Sequence, residues 1–178
     1  MKVHEQHKKK GPKVVNIALV IVSTSRYNEI QDGTESSDKT VPLVTQILEE
    51  NSGVSLNIVE IVSDDKGQIK NMLNELLKDD AIHSIIFSGG TGLDVEDITY
   101  EIIQPLLEKE ITGFGEIFRS LSYEEIGAAA MLSRATGGRI KDKSVFILPG
   151  SPKAVELALK KLIIPEIRHI TYMITKEE

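Results

Sequence analysis

The 178-residue chain contains no cysteine. Disulfides, thiolate metal sites and cysteine nucleophiles are thereby excluded, and the absence fits a reducing compartment. No apolar run approaches the roughly 20 residues of a membrane span. The opening "MKVHEQHKKKGPK" places lysines where the apolar centre of a signal peptide belongs, so a cytoplasmic location is expected. Positive charge is not in excess either. The formal net charge of −6 disfavours non-specific nucleic-acid binding, because affinity for phosphates needs a basic face. Histidine is scarce, with four in all. His4 and His7 lie in the lysine-rich start, His83 at the mouth of a strand and His169 near the C-terminus. His4 and His7 alone are too few for a defined metal site. No hydrolase triad is expected around Ser151, whose surroundings "PGSP" are not G-x-S-x-G.

The residues that are present, 40% apolar and 27% charged, match an ordinary globular protein. The length suits one domain with a sizeable core. Residues 1–13 read as a solvated, mobile basic tail, and residues 14–178 as a single domain. "VVNIALVIV" (14–22) is a nearly continuous β-branched run, the pattern of a strand buried on both faces of a parallel sheet. "SLNIVEIV" (55–62), "IHSIIF" (82–87) and "KSVFIL" (143–148) read as three further strands. Between them, 41–50 has helical spacing with Asp38 as a candidate N-cap, and 68–79 carries an apolar stripe of Ile69, Met72, Leu73, Leu76 and Leu77. Residues 97–110 read as a helix disturbed by Pro105. Residues 128–136 and 153–167 also read as helices, 23–40 as a long polar loop, and 111–127 as a glycine-rich break. The apolar segment 162–174 predicts burial against the body or against another subunit. Strands alternating with helices predict an α/β sandwich with a mostly parallel sheet, whose ligands gather beyond the carboxyl ends of the strands.

Three polar loops fall at such ends. "SGGTG" (88–92) follows the third strand. It is neither a Walker A loop nor G-x-G-x-x-G. Gly89 and Gly90 allow close approach of backbone amides to an anion, and Ser88 and Thr91 add hydroxyls. A tight strand-to-helix turn is the alternative use of such glycines. Asp97 lies just before the next helix, where capping is a common use of aspartate. Asp64 and Asp65 follow the second strand. Carboxylates beside an anion-binding loop repel the anion unless a divalent cation lies between them, and magnesium takes such oxygen ligands. Loop amides, a cation and a phosphorylated ligand make phosphoryl or nucleotidyl transfer the expected reaction class. Arg134 is a further candidate anion contact.

The spans "SGGTGLDVEDIT", "EITGFGEIFRSLSYEEIGAAAMLSRATGG" and "FILPGSPKAVELAL", in this order and spacing, closely resemble the MoaB/MogA family of molybdenum-cofactor biosynthesis proteins. The likeness runs from about Asn16 to Ile167. It implies a three-layer α/β/α sandwich with a mostly parallel mixed sheet, assembled as trimers or hexamers. It also implies binding of molybdopterin and adenylylation of its terminal phosphate with ATP and Mg2+, releasing pyrophosphate. The product would pass to a downstream metal-insertion enzyme for molybdenum or tungsten. By the same resemblance, Asp64 and Asp97 are the functional aspartates; Asp97 is expected to hold the magnesium directly and Asp64 to orient or ligate it from across the rim. Ser88, Gly89, Gly90, Thr91 and Gly92 form the ligand loop, Ser133 and Arg134 the "SR" segment, and Gly150 and Ser151 a "PGS" loop facing the pterin. The family often has Ser-Gly where this chain has Ser37-Asp38, a departure that adds a carboxylate near the expected anion. A non-catalytic pterin-binding protein, and a MoaB-like domain acting on another nucleotide, are the alternative functions.

Overall fold

In β1, Val15–Val22, side chains point alternately to the two faces of a sheet and, Asn16 apart, both sets are apolar, so helices must cover both faces. The computed structural model, which describes residues 3–176, shows how. The other strands are β2 (Val54–Val62), β3 (Ser84–Ser88), β4 (Lys109–Glu110), β5 (Thr136–Ile140) and β6 (Lys143–Leu148). They form one six-stranded sheet in the order β2-β1-β3-β6-β5-β4. The pairs β1/β2, β1/β3 and β3/β6 are parallel, while β5/β6 and β4/β5 are antiparallel. The expected mixed, mostly parallel sheet is thus present.

The helices are α1 (Val3–Lys10), α2 (Thr24–Gln31), α3 (Thr40–Glu49), α4 (Lys66–Leu76), α5 (Thr99–Ile103), α6 (Thr112–Ile126), α7 (Pro152–Ala158) and α8 (Ile164–Thr175). One face of β1, with Ile17, Leu19 and Ile21, packs with Val44 and Ile47 of α3, Phe114 and Phe118 of α6, Val155 of α7 and Ile167 of α8. The opposite face, with Ala18, Val20 and Val22, packs with Ile69 and Leu73 of α4 and Ile102 and Ile103 of α5. The result is the three-layer α/β/α sandwich. Among the described residues no helix is long and apolar enough to cross a membrane.

Several local expectations are corrected by tertiary contacts. The basic segment expected as a mobile tail is helical over α1 and lies along α8. Lys8 Nζ pairs with Glu166 at 2.5 Å, a ring nitrogen of His7 stands 3.3 Å from one of His169, and Arg168 Nε donates to Pro12 O at 2.9 Å. The partners lie more than 150 residues away, beyond the reach of a local pattern. The "loop" 23–40 opens with α2. The helix expected over 97–110 ends at Ile103, gives way to a 3-10 turn at Gln104–Leu106 containing Pro105, and is followed by β4. The glycine-rich break is α6. It is held by Phe114 and Phe118 against the sheet, with the Phe114 ring 5.0 Å from that of Phe146. Residues 128–136 are mostly a 3-10 segment (Gly127–Leu132) leading into β5. Continuous with α7 and α8, Leu159–Ile163 form a π-turn, which accommodates Pro165 one residue into α8 without ending the rod. Ile163 and Ile167 are fully buried within their own subunit, whereas Met173 is 40% exposed, so burial against the body covers part of the apolar segment 162–174.

At the amino ends of the strands, far from the rim loops, Asn16 N donates to His83 Nδ1 at 3.0 Å. The buried Lys143 Nζ donates to Asp79 O and Ile82 O at 2.8 and 2.7 Å. Burial, and then the Lys143 charge, hold His83 below the ordinary imidazole pKa. The unfolded chain therefore binds more protons than the folded one as pH falls from about 6.5, and stability falls with it. The neutral ring's full contribution is present above that pH and is lost as pH drops through the lowered folded value. Urea unfolding at pH 7.5 and 5.5 is expected to show a pH-dependent loss that His83→Gln diminishes.

Candidate active site

The carboxyl ends of β1, β2, β3 and β6 open onto one cleft of about 580 Å³. Each sequence-predicted loop contributes to its wall: Asp64 after β2, Gly89–Gly92 and Asp97 after β3, and Gly150 and Ser151 after β6. Ser133 joins from the segment before β5.

The glycine loop adopts a conformation that side chains would block. Gly89 has φ +110 and Gly90 φ +59. A Cβ on Gly89 would run into Val22 O, and one on Gly90 would stand 2.7 Å from Asp64 Oδ1 and nearer still to Thr99 Oγ1. A Cβ on Gly92 would lie 2.5 Å from Asp97 Oδ2. Asp64 and Asp97 thus flank one short stretch of backbone. Among the described residues, the N–H groups of Gly90, Thr91, Gly92 and Leu93 donate to no other protein group, whereas Gly89 N is bound to Leu148 O at 3.1 Å. Successive unpaired amides in a glycine turn form an anion-binding concavity.

The two carboxylates are held differently. Asp64 Oδ2 accepts from Thr24 N and Thr24 Oγ1, both at 2.9 Å, so it caps α2, an element not expected from the sequence. Its Oδ1 faces Gly90. Asp97 was a candidate cap, yet α5 begins at Thr99 with no side-chain cap, and the Asp97 carboxylate accepts no hydrogen bond from the described residues. Asp65, not Asp64, caps α4, accepting from Gln68 N at 2.8 Å. Thr99 Oγ1 is buried beside Gly90 without a partner. Among the described residues no three His, Cys, Asp or Glu side chains converge to hold a metal. Two carboxylates with free oxygens beside an anion loop suit a cation that takes its remaining ligands from phosphate and water, as magnesium does.

Other predicted contacts have structural duties. Ser88 Oγ is buried and donates to Pro149 O at 3.1 Å, tying the glycine loop to the "PGS" loop rather than facing a ligand. Ser151 caps α7, accepting from Ala154 N at 3.3 Å. Ser133 Oγ accepts from Ala135 N at 3.3 Å. Arg134 lies behind the loop, outside the cleft wall. Asp38, the departure from the family pattern, caps α3 as expected by accepting from Val41 N at 2.6 Å. Its side chain is 4% exposed and pairs with Arg26 at 3.3 Å, so its charge is covered.

Sequence reading missed two features of the wall. Arg26, on α2, is the one cationic side chain lining the cleft among the described residues. Its place just beyond the end of β1, "STSR", was the available signal. Phe118, Ile126 and Leu132 give the cleft an apolar side suited to a flat ring; the first two come from the segment read as a break, and Leu132 from the segment read as a helix.

Residues 18–169 match the family model of a probable molybdopterin binding domain. A molybdenum cofactor biosynthesis protein B of Bacillus cereus is 43% identical over 173 residues, covering 97% of this chain and 98% of that protein. A crystal structure of molybdenum cofactor biosynthesis protein B superposes with a TM-score of 0.84 at 42% identity, over 93% of this chain and 99% of that one. The tungsten cofactor synthesizing protein MoaB from Pyrococcus furiosus does so with a TM-score of 0.77 at 36% identity, again over 93% and 99%. With matches spanning nearly the whole sheet and every loop of the rim, the chain belongs to the MoaB/MogA family of molybdenum-cofactor biosynthesis proteins.

Proposed function

We propose that the protein binds molybdopterin in this cleft and adenylylates its terminal phosphate with Mg-ATP. The observation that carries the reading is the placement of Asp64 Oδ1 and Asp97 Oδ2 on either side of a run of unpaired amides. The amides would hold polyphosphate oxygens, and Arg26, whose charge also offsets Asp38, would add a donor from the same wall. Asp97 and Asp64 would hold Mg2+, which when bound offsets the charge of the phosphates. The apolar side formed by Phe118, Ile126 and Leu132 would receive the pterin ring.

In the reaction, an oxygen of the pterin phosphate attacks the α-phosphorus of ATP. A new P–O bond forms as the bond to pyrophosphate breaks. The attacking oxygen is already ionised near neutral pH, so no general base is required, consistent with a cleft wall that holds no histidine among the described residues. Catalysis then consists of alignment and of stabilising charge with fixed dipoles.

The test is incubation of the protein with molybdopterin, ATP and Mg2+, with pyrophosphate and adenylylated pterin as readouts. Binding of the pterin without either product would replace this reading with that of a carrier. Asp64→Ala is expected to slow turnover roughly 10- to 100-fold, in the range for loss of a group that orients a metal site. It should also cost about 1 kcal/mol of stability through the lost cap on α2. Normal kinetics with reduced stability would leave Asp64 as a cap alone.

A further inference from the structure

Guanidinium chemistry and the "SR" match make Arg134 an expected ligand contact, but its hydrogen bonds point the other way. Nε donates to Thr91 O at 2.9 Å, and Nη2 donates to Gly92 O at 2.6 Å and to Asp97 O at 3.4 Å. The guanidinium also forks onto Glu101, Nη1 to Oε1 and Nη2 to Oε2, the latter at 3.2 Å. It stands 5.0 Å from the centroid of the Tyr100 ring. Every nitrogen is engaged, and the side chain borders a separate depression behind the loop rather than the cleft.

These bonds account for two of the four unpaired amides, those of Gly92 and Leu93. In a trans peptide unit the C=O and the following N–H point in opposite directions. With the carbonyls of Thr91 and Gly92 drawn to Arg134, the N–H groups of Gly92 and Leu93 turn away from it, to the side where they meet no protein acceptor. The third bond fixes the peptide that follows the Asp97 side chain. Glu101 fixes the guanidinium in turn and balances its charge. The pairing holds the Glu101 carboxyl below its ordinary pKa.

We propose that Arg134, held by Glu101, is a positioning residue that builds the anion-binding loop from behind and does not itself touch the ligand. The inference rests on reading the cleft as a polyphosphate site, but not on any particular reaction there. A lysine can reproduce it only in part, since one ammonium cannot span three carbonyls and a carboxylate in a plane.

Calorimetric binding of inorganic triphosphate with Mg2+ tests the assignment independently of turnover. Arg134→Ala is expected to weaken binding at least tenfold and to speed hydrogen exchange of the Thr99 amide, which donates to Gly90 O within the loop. Arg134→Lys should recover part of the affinity. If Arg134→Ala does not fold, Arg134→Lys and Glu101→Gln carry the test. Glu101→Gln distinguishes the roles: a positioning arginine loses support and binding weakens or holds, whereas an arginine that contacts the anion is released from its competitor and binding tightens. Tighter binding in Glu101→Gln, or affinity within threefold of the parent in Arg134→Ala, overturns the proposal. If wild type binds triphosphate and Arg134→Ala does not, yet no adenylylated pterin ever forms, the clamp stands and the proposed chemistry falls.

Discussion

Asp97→Asn is expected to lower adenylyl transfer at least about a thousand-fold, equivalent to roughly 4 kcal/mol of lost transition-state stabilisation. The carboxylate accepts no hydrogen bond from the described residues and caps no helix, so the fold asks nothing of its charge. It faces Gly92 across 2.5 Å measured to a notional Cβ, beside amides available to phosphate oxygens. An amide of the same shape preserves the packing but removes the negative charge that a magnesium ion requires. The melting temperature should therefore stay near that of the parent while pyrophosphate release collapses. A thermal melt run beside the kinetic assay checks both halves. An unchanged rate would remove Asp97 from the reaction, and a collapsed melt would mean that its carboxylate is structural after all.

The second large effect concerns stability. Gly89→Ala is expected to cost about 3 kcal/mol, the upper range for a residue forced into a sparsely populated backbone region. At roughly 2–4 °C per kcal/mol for a domain of this size, the melt should fall by several degrees. Gly89 has φ +110, which disfavours any L side chain, and the added methyl would meet Val22 O on the neighbouring strand. That oxygen belongs to backbone at the end of β1 and cannot swing aside. Gly89 N also donates to Leu148 O, so displacing the loop breaks the link between β3 and β6 at the rim. Gly33, at φ +70 with nothing near its notional Cβ, serves as the control: Gly33→Ala has strain but no clash and should lose much less. Equal losses at the two positions would show that conformational strain, not the close approach to Val22, decides the matter.

Much of this protein is legible in one dimension because its elements carry strong local periodicity. The run 14–22 reads as a two-faced strand and proves to be β1, with alternate residues in the two separate cores. β6 spans the predicted residues 143–148. The capping role of Asp38 follows from a short polar side chain before an apolar helix, and Val41 N donates to it. Less legible are elements made by contact. Gly115 weakens the helix signal of α6, yet a Cβ there would stand 2.7 Å from Ala135 O, so the glycine lets helix and strand approach. β5, "TGGRI", carries a weak strand signal for a similar reason: Gly137 lies against the Phe146 ring, where a notional Cβ would stand only 2.5 Å from Cδ1.

The chain's own pattern determines where the strands run, that three polar loops end them, and that two carboxylates accompany a glycine turn. Those features depend on backbone preferences within a few residues, which a sequence displays directly. Only the tertiary structure decides which atoms of those loops face the ligand. Ser88 and Arg134 turn to backbone carbonyls 61 and about 40 residues distant, Arg26 enters the cleft wall, and α6 supplies its apolar side. A polar side chain bonds to whichever partner folding brings within about 3 Å, and no local spacing records that distance.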